Sequence, residues 1–141
     1  MSLAIRWVAV VAMTLLCACA SNSRLDDSEQ VKLLERATAR WEALVAKDWG
    51  AAYGYTSPAY KAVFSAALYE RKFSYMLDWE LTAVEFLNYD VDAAVASVAV
   101  RVMSKPTKQT SAASVAIGAV PTRFVEQWVL SDGDWWYSAN L

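Results

Sequence analysis

The sequence predicts an α+β domain in which N-terminal helices pack on a strongly curved antiparallel sheet. From about Ser28 to Lys47, apolar residues recur at helical spacing. After Met76 the pattern changes to alternation and then to a valine-rich run, both of which are typical of strands. Near the end of the chain, Asp132-Gly133 strongly favours a tight hairpin turn. Helices followed by antiparallel strands make an α+β order.

Capping residues divide the N-terminal half into helices. Asp27, with Gln30 three residues later, is predicted to cap the first helix, and Gly50 can end it. Asp48 is predicted to cap a short second helix. Ser57-Pro58 marks a boundary, with proline at a first helical position. A third helix is predicted from its cap Ser65 to Met76.

The C-terminal half is predicted to contain about five antiparallel strands. In the first of them the alternation runs through Trp79, Leu81 and Ala83 and then shifts to Val84 and Phe86, which indicates a bulge in a long strand. Residues 92–105 have the apolar, valine-rich composition of a central strand. The other predicted strands are 113–120, 122–130 and 135–139, with a break or kink at Pro121 between the first two.

The first residues have the pattern of an export signal. A single charge, Arg6, precedes an apolar run over 7–16 and then small residues, so we expect a signal peptide over 1–18. Leu16-Cys17-Ala18-Cys19 resembles the lipobox of bacterial lipoproteins, which implies lipidation of Cys19 and a tether over 19–28. Cleavage after Ala20 at an ordinary A-x-A site is the alternative. By analogy with enteric sorting rules, we expect an anchor in the outer membrane, facing the periplasm.

The composition excludes several classes of chemistry. The chain has no histidine, and its two cysteines both lie in the export segment, so nucleophile-histidine catalysis and typical zinc sites are not expected. Four glycines form no phosphate-binding loop. A formal net charge of −2 without a basic run argues against nucleic-acid binding. The acidic pairs Asp90/Asp92 and Asp132/Asp134 are explained by turn chemistry rather than by calcium. We therefore predict no metal, no cofactor and no enzymatic activity.

Two segments resemble the nuclear transport factor 2-like (SnoaL-like) domains. These are RWEALVAKDWGAAYGYTSPAYKA, residues 40–62, and FVEQWVLSDGDWWY, residues 124–137. The resemblance covers residues 29–141. It implies a cone-shaped, cystatin-like roll with a cavity between a curved sheet and its helices. It does not imply one function, because enzymes and binding modules share this fold.

Glu126 is the most informative candidate site residue. It shares one face of its strand with Phe124, Trp128 and Leu130, so its carboxyl group is expected in apolar surroundings, where it could act as an acid or base. The alternative is a structural role in which Arg101, Arg123 or backbone donors satisfy it. The residues that we expect at a pocket, or else in the core, are Trp41, Tyr53, Tyr55, Trp79, Phe124, Glu126 and Trp128.

Three functional hypotheses follow from these observations. The first is a non-catalytic lipoprotein that binds a small apolar ligand or a protein partner. The second is a SnoaL-like enzyme that uses Glu126 as acid or base with Tyr53 or Tyr55 as a donor. The third is a structural subunit of an envelope assembly. Because Trp135 and Trp136 are adjacent on a strand and must face opposite ways, the outer face of the sheet is a candidate contact surface, including for a homodimer.

Overall fold

A computed structural model describes residues 24–73 and 77–139 of the chain. The predicted signal peptide (1–18), the lipidation site Cys19 and most of the tether (19–28) lie outside the described residues, as does Met76. In the part of the chain that is described, no helix has both the length and the apolar character needed to cross a membrane.

Within residues 24–73 and 77–139, four helices precede an open, four-stranded antiparallel sheet, and a fifth short helix lies between its second and third strands. The sheet order β1-β2-β3-β4 follows the sequence, so the sheet is a meander with β1 and β4 at its edges. The predicted α+β class is confirmed. The elements are α1 (Asp27–Val45), α2 (Trp49–Gly54), α3 (Pro58–Val63), α4 (Ala66–Glu70), β1 (Leu77–Asp90), β2 (Val95–Pro106), α5 (Ala112–Ile117), β3 (Val120–Ser131) and β4 (Asp134–Ser138).

Helix α1 differs from its prediction at both ends. Its cap is Asp26 rather than Asp27, and the Asp26 side chain accepts a hydrogen bond from the amide of Ser28 at 3.3 Å. It ends at Val45, before Gly50, because Lys47 adopts a left-handed conformation with φ of 58°. Gly50 lies within α2 instead of ending α1. Helix α1 thus begins slightly before residue 29.

The predicted caps Asp48 and Ser65 and the predicted boundary at Ser57-Pro58 are confirmed. Asp48, Ser57 and Ser65 cap α2, α3 and α4, and each side chain accepts a hydrogen bond from the backbone amide three residues later. Pro58 occupies the first turn of α3, where its missing N–H costs nothing. The helix that follows Ser65 was predicted to reach Met76 but is shorter, and α4 ends at Glu70.

Strand β1 contains the predicted bulge and a second one. Its pairing with β2 shifts register between Leu81 and Ala83 and again between Phe86 and Asn88. Each shift returns apolar side chains to the face of the sheet that packs against α1, which we call the inner face. The β1 residues on the inner face, all packed on the core, are Trp79, Leu81, Val84, Phe86 and Tyr89.

The strand predicted over residues 113–120 is wrong. Ser111 caps a helical turn there, in a reciprocal capping box with Ser114, and Gly118 ends it with a φ of 65°. The apolar side chains of α5 do not enter the core, since Val115 and Ile117 remain 58% and 68% exposed. Consequently β3 runs without a break through Pro121, and the described residues form four strands rather than five.

The core lies between α1 and the inner face of the sheet. One face of α1 is buried along its length at Leu33, Ala37, Arg40, Trp41 and Leu44. The valines at 98, 100 and 102 of β2 and Trp128 of β3 lie in the same cluster. Every member of this cluster falls between Leu25 and Trp135, so a chain that starts at Ser21 contains the whole of it.

The predicted turn between β3 and β4 is confirmed. Asp132 and Gly133 have φ values of 53° and 80°, as a two-residue hairpin turn with two left-handed positions requires. Glycine adopts this conformation at little cost, and aspartate tolerates it better than most residues. The turn pairs β4 with β3 and directs Trp135 toward the core.

Candidate functional site

Strand β3 places Glu126 on the inner face of the sheet. Glu126 is the register partner of Val98 on β2, and it lies between Phe124 and Trp128 on the same side of β3. Its side chain is buried. A buried carboxylate needs donors, because desolvation disfavours its charge.

Three donors surround the Glu126 carboxylate. Arg40 Nη1 and Trp41 Nε1 both donate to Oε1, at 2.5 and 2.8 Å. Trp128 Nε1 donates to Oε2 at 3.2 Å. A charge-assisted bond and two indole N–H groups fix the orientation of the carboxylate.

Arg40 connects this carboxylate to two tyrosines. Its Nη2 donates to the hydroxyl of Tyr69 at 3.2 Å, and its guanidinium carbon lies 3.6 Å from the ring centroid of Tyr137. Burial is the largest single influence and disfavours the charged guanidinium, but Glu126, Tyr69 and Tyr137 together outweigh it and hold the pKa of Arg40 above its ordinary value. Arg40 is therefore a permanent buried cation.

The two tyrosines are themselves buried titratable groups. Burial raises the pKa of Tyr69 and of Tyr137, although the nearby charge of Arg40 acts in the opposite direction. Both hydroxyls consequently stay protonated at neutral pH.

The arginine that satisfies Glu126 is not one of the two named from the sequence. Arg101 and Arg123 are exposed register partners on the opposite, outer face of the sheet. There Arg101 binds Glu85 at 2.8 Å. Side chains at odd-numbered positions of β3, including Arg123, lie on the face opposite to Glu126. The prediction that Arg101 or Arg123 satisfies Glu126 is therefore wrong. The available signal was Arg40 itself, a charged residue within the apolar stripe of α1.

A cleft of about 480 Å³ opens beside this buried pair. It lies between the second half of α1, the chain after α4, and the ends of β1, β2 and β3 that are nearest to α5. We call it the aromatic cleft because Trp41, Trp79 and Phe124 line it together with Glu126, Arg40 and Tyr137. Its volume is in the range of small-molecule sites.

The aromatic walls of the cleft are packed against one another. The ring centroids of Trp41 and Phe124 are 5.1 Å apart, and those of Trp41 and Trp79 are 5.7 Å apart in an edge-on arrangement. Trp41 also donates to Glu126, so the same indole forms part of the wall and orients the carboxylate. These contacts hold the apolar wall of the cleft in place.

Four of the seven residues named from the sequence line the aromatic cleft, namely Trp41, Trp79, Phe124 and Glu126. Trp128 lies behind it in the core, where it contacts Glu126. Tyr53 and Tyr55 lie outside the lining. The Tyr53 hydroxyl donates to the carbonyl of Phe64 at 2.6 Å. The ring centroid of Tyr55 lies 5.2 Å from the guanidinium carbon of Arg36.

The acidic pairs take part in turns. The Asp90 carboxylate accepts hydrogen bonds from the amides of Asp92 and Ala93, at 3.0 and 3.1 Å, and Asp132 belongs to the hairpin turn. Over residues 24–73 and 77–139, no three side chains of the histidine, cysteine, aspartate and glutamate types come together as metal ligands.

Adjacent tryptophans of β4 point to opposite sides, as predicted. Trp135 is buried and donates to Glu29 at 3.2 Å. Trp136 is partly exposed, and two cations lie over its ring, with Arg36 and Lys61 each 5.1 Å from the centroid.

Comparison with known proteins shows a distant structural likeness. No protein-family model matches the sequence, and no curated protein matches it. Among solved structures, the chain is similar to the solution structure of a SEC-C motif containing protein from Rhodopseudomonas palustris, with 13% identity and a TM-score of 0.42. The match covers 74% of this chain and 73% of that chain.

Proposed function

We propose that this protein is a bacterial envelope lipoprotein whose domain binds a small apolar ligand in the aromatic cleft without catalysing a reaction. One observation carries the proposal. The cleft has a mainly apolar lining, and its one carboxylate, Glu126, already has three donors. Apolar walls with a few fixed polar groups are characteristic of binding pockets.

The geometry of Glu126 supports binding over acid-base catalysis. A general acid or base must exchange a proton with its substrate, and the ideal group titrates near the working pH. Glu126 is instead ion-paired with Arg40, and both of its oxygens accept indole N–H groups. The tyrosines named for the enzyme hypothesis, Tyr53 and Tyr55, lie outside the cleft. Catalysis would require Glu126 to break its present bonds.

We further propose that the domain is a SnoaL-like roll. Two bulges in β1 support this proposal, because bulges bend a strand and increase its twist. A sheet bent at these positions would curve around α1 and enclose the cleft as a cone.

The anchor is proposed from the lipobox resemblance and from the position of Leu25. Leu25 belongs to the buried core, so six residues lead from Cys19 to the first fixed point of the domain. Fully extended, they span about 20 Å. A lipid on Cys19 would therefore keep the domain close to the membrane surface, in the outer membrane facing the periplasm.

Native mass spectrometry of the lipid-free domain tests the binding proposal. The chain starting at Ser21 is purified from the periplasm of its own host, and a reproducible non-protein adduct is expected. Thr122→Phe places a ring in the cleft lining and should remove the adduct, whereas Thr82→Phe, at an exposed position of β1, should keep it. A bare wild-type protein, or the same adduct on both variants, would contradict the proposal. A clean dimer would instead support the sheet as an interface between two copies.

The two cysteines provide a matched test of the anchor. We expect the mature protein to carry diacylglycerol on Cys19 and to fractionate with membranes. Cys19→Ser should release it, while Cys17→Ser should leave it anchored, because residue 17 is removed with the signal peptide. A mature chain that begins at Ser21 without lipid would show that the ordinary cleavage site is used.

A further inference from the structure

We infer that the ligand of the aromatic cleft carries a carbonyl or carboxylate oxygen that accepts a hydrogen bond from the indole of Trp79. This inference rests on the proposed function, because it specifies what kind of apolar molecule the cleft takes. It assigns Trp79 a role in recognition in addition to its role in packing.

The first observation is a pair of buried donors without acceptors. Trp79 Nε1 and Arg40 Nε are both buried, and neither has a hydrogen-bond partner among residues 24–73 and 77–139. Both residues line the aromatic cleft. An unpaired buried donor is unfavourable and uncommon in folded proteins, so two beside one cleft require an explanation.

Most of the other polar side chains of the described lining are already engaged. Both oxygens of Glu126 accept from Arg40 and the indoles of residues 41 and 128. The hydroxyls of Ser104 and Thr122 bond to each other at 3.1 Å. The fourth such residue, Tyr137, has its ring against the Arg40 guanidinium. Neither buried donor therefore has an acceptor among the described residues, and a ligand oxygen would supply one.

The charges of the lining favour the same class of ligand. Its ionisable side chains at neutral pH are Arg40, Lys72 and Glu126, which leaves one positive charge after the buried pair is balanced. The Lys72 ammonium lies 5.1 Å from the ring centroid of Tyr60, and no carboxylate of the described chain pairs with it. A neutral or anionic acceptor is compatible with this charge, whereas a cationic group is repelled.

The position of Trp79 allows it to respond to a ligand. Its side chain is only partly buried, near the start of β1, and it meets Trp41 and Phe73 edge-on. A modest rotation of the ring would present Nε1 to an oxygen in the cleft and leave the core cluster packed. Arg40 Nε, by contrast, is buried, and its guanidinium is held in place by Glu126 and Tyr69.

Four ring-matched probes test the inference on the domain that starts at Ser21, which contains the whole core cluster. They are 2-methylnaphthalene, 2-acetylnaphthalene, 2-naphthoate and 2-(aminomethyl)naphthalene, and calorimetry gives the dissociation constant of each. The two oxygen-bearing probes are expected to bind about tenfold more tightly than 2-methylnaphthalene, and the cationic probe more weakly. The difference between the acetyl and carboxylate probes tells which oxygen the cleft prefers.

Trp79→Phe removes the donor and keeps an aromatic wall. It should reduce the ratio of affinities, oxygen-bearing probe over 2-methylnaphthalene, to about one. Trp136→Phe, on the other side of the sheet, is the matched control and should retain the preference. Equal affinity of the wild type for all probes, or an unchanged preference in Trp79→Phe, overturns the inference. Failure of every probe to bind overturns the proposed function itself.

Proton NMR of the indole groups gives a direct readout. The Trp79 indole signal is assigned by its loss in Trp79→Phe. It should shift downfield when 2-acetylnaphthalene binds, because the indole N–H then donates to an oxygen, and it should not do so with 2-methylnaphthalene. Identical downfield shifts with both probes would indicate a ring-current effect and would overturn the assigned hydrogen bond.

Discussion

The guanidinium of Arg40 and the carboxylate of Glu126 lie 2.5 Å apart, and their side chains are only 3% and 5% exposed. The pair links α1 to β3 across 86 positions of sequence. Two tryptophans and a tyrosine provide the remaining hydrogen bonds. Such a pair contributes little by itself, but removing one partner leaves an uncompensated buried charge.

Replacing one partner should therefore be strongly destabilising. Glu126→Gln is expected to lower the free energy of unfolding by about 3 to 5 kcal/mol, as measured by urea denaturation. The matched control is Glu85→Gln, because the pair of Glu85 with Arg101 is solvent-exposed, and its loss should cost at most about 1 kcal/mol. Similar effects of the two variants would contradict the structural role assigned to the buried pair.

The buried tyrosines should make the protein sensitive to alkali. The pKa of Tyr69 and of Tyr137 is raised in the folded state, so above about pH 10 the unfolded chain loses protons that the folded chain retains. Stability should therefore fall as pH rises through this range. We expect the absorbance of tyrosinate to appear at higher pH in the folded protein than in urea. Superimposable titration curves would exclude the effect.

Asp78 should cause a loss of stability on the acid side. A hydrogen bond from Lys47, whose ammonium lies 2.7 Å away, lowers the pKa of Asp78 from its ordinary value of 3.8. Below about pH 4 the unfolded chain binds a proton more readily than the folded one, so this contribution is present above that pH and is lost as pH falls. Asp78→Asn should have a shallower decline in melting temperature below pH 4 than the wild type. An identical decline would show that Asp78 does not contribute.

Two glycines allow the effect of backbone conformation to be measured alone. An added Cβ would meet no atom within 4 Å at Gly133 or at Gly54, but only Gly133 has a positive φ, of 80°. Gly133→Ala should cost about 1 kcal/mol or more in the free energy of unfolding. Gly54→Ala, within α2, should be neutral or stabilising by up to about 1 kcal/mol. Equal costs in thermal or chemical unfolding would contradict the assigned turn.

Local signals in the sequence predicted local structure well. Asp48 and Ser65 were identified as caps, and Ser57-Pro58 as a helix boundary, because these signals depend on residues within one turn. The shift of alternation in β1 predicted its first bulge for the same reason. The strand predicted over 113–120 was wrong because a six-residue apolar run satisfies either pattern, and the capping box at Ser111 and the positive φ at Gly118 decided the outcome.

The partners of Glu126 could not be predicted from the alternation of apolar and polar residues along the strands. The pattern of β3 placed Glu126 on an apolar face, but its counter-ion lies on α1, and no local rule connects positions 40 and 126. Tyr69 and Tyr137 were missed for the same reason, since each joins the site only when the helices pack on the sheet. Tyr53 and Tyr55 were grouped with the cleft by sequence proximity, although short helices direct them elsewhere.

The two register shifts in β1 also affect how molecules of this protein meet one another. β1 is a 14-residue strand at the edge of the sheet, and a straight edge of that length would be a template for pairing with a second chain. Each bulge interrupts the regular spacing of amides and carbonyls, so an incoming strand could form only short stretches of ladder. At the opposite edge, the backbone of residues 55–57 bonds to Tyr137 on both sides, at 2.8 and 3.2 Å. The bulges of β1 and the bridge at Tyr137 thereby make both edges of the sheet poorer templates for the addition of a strand.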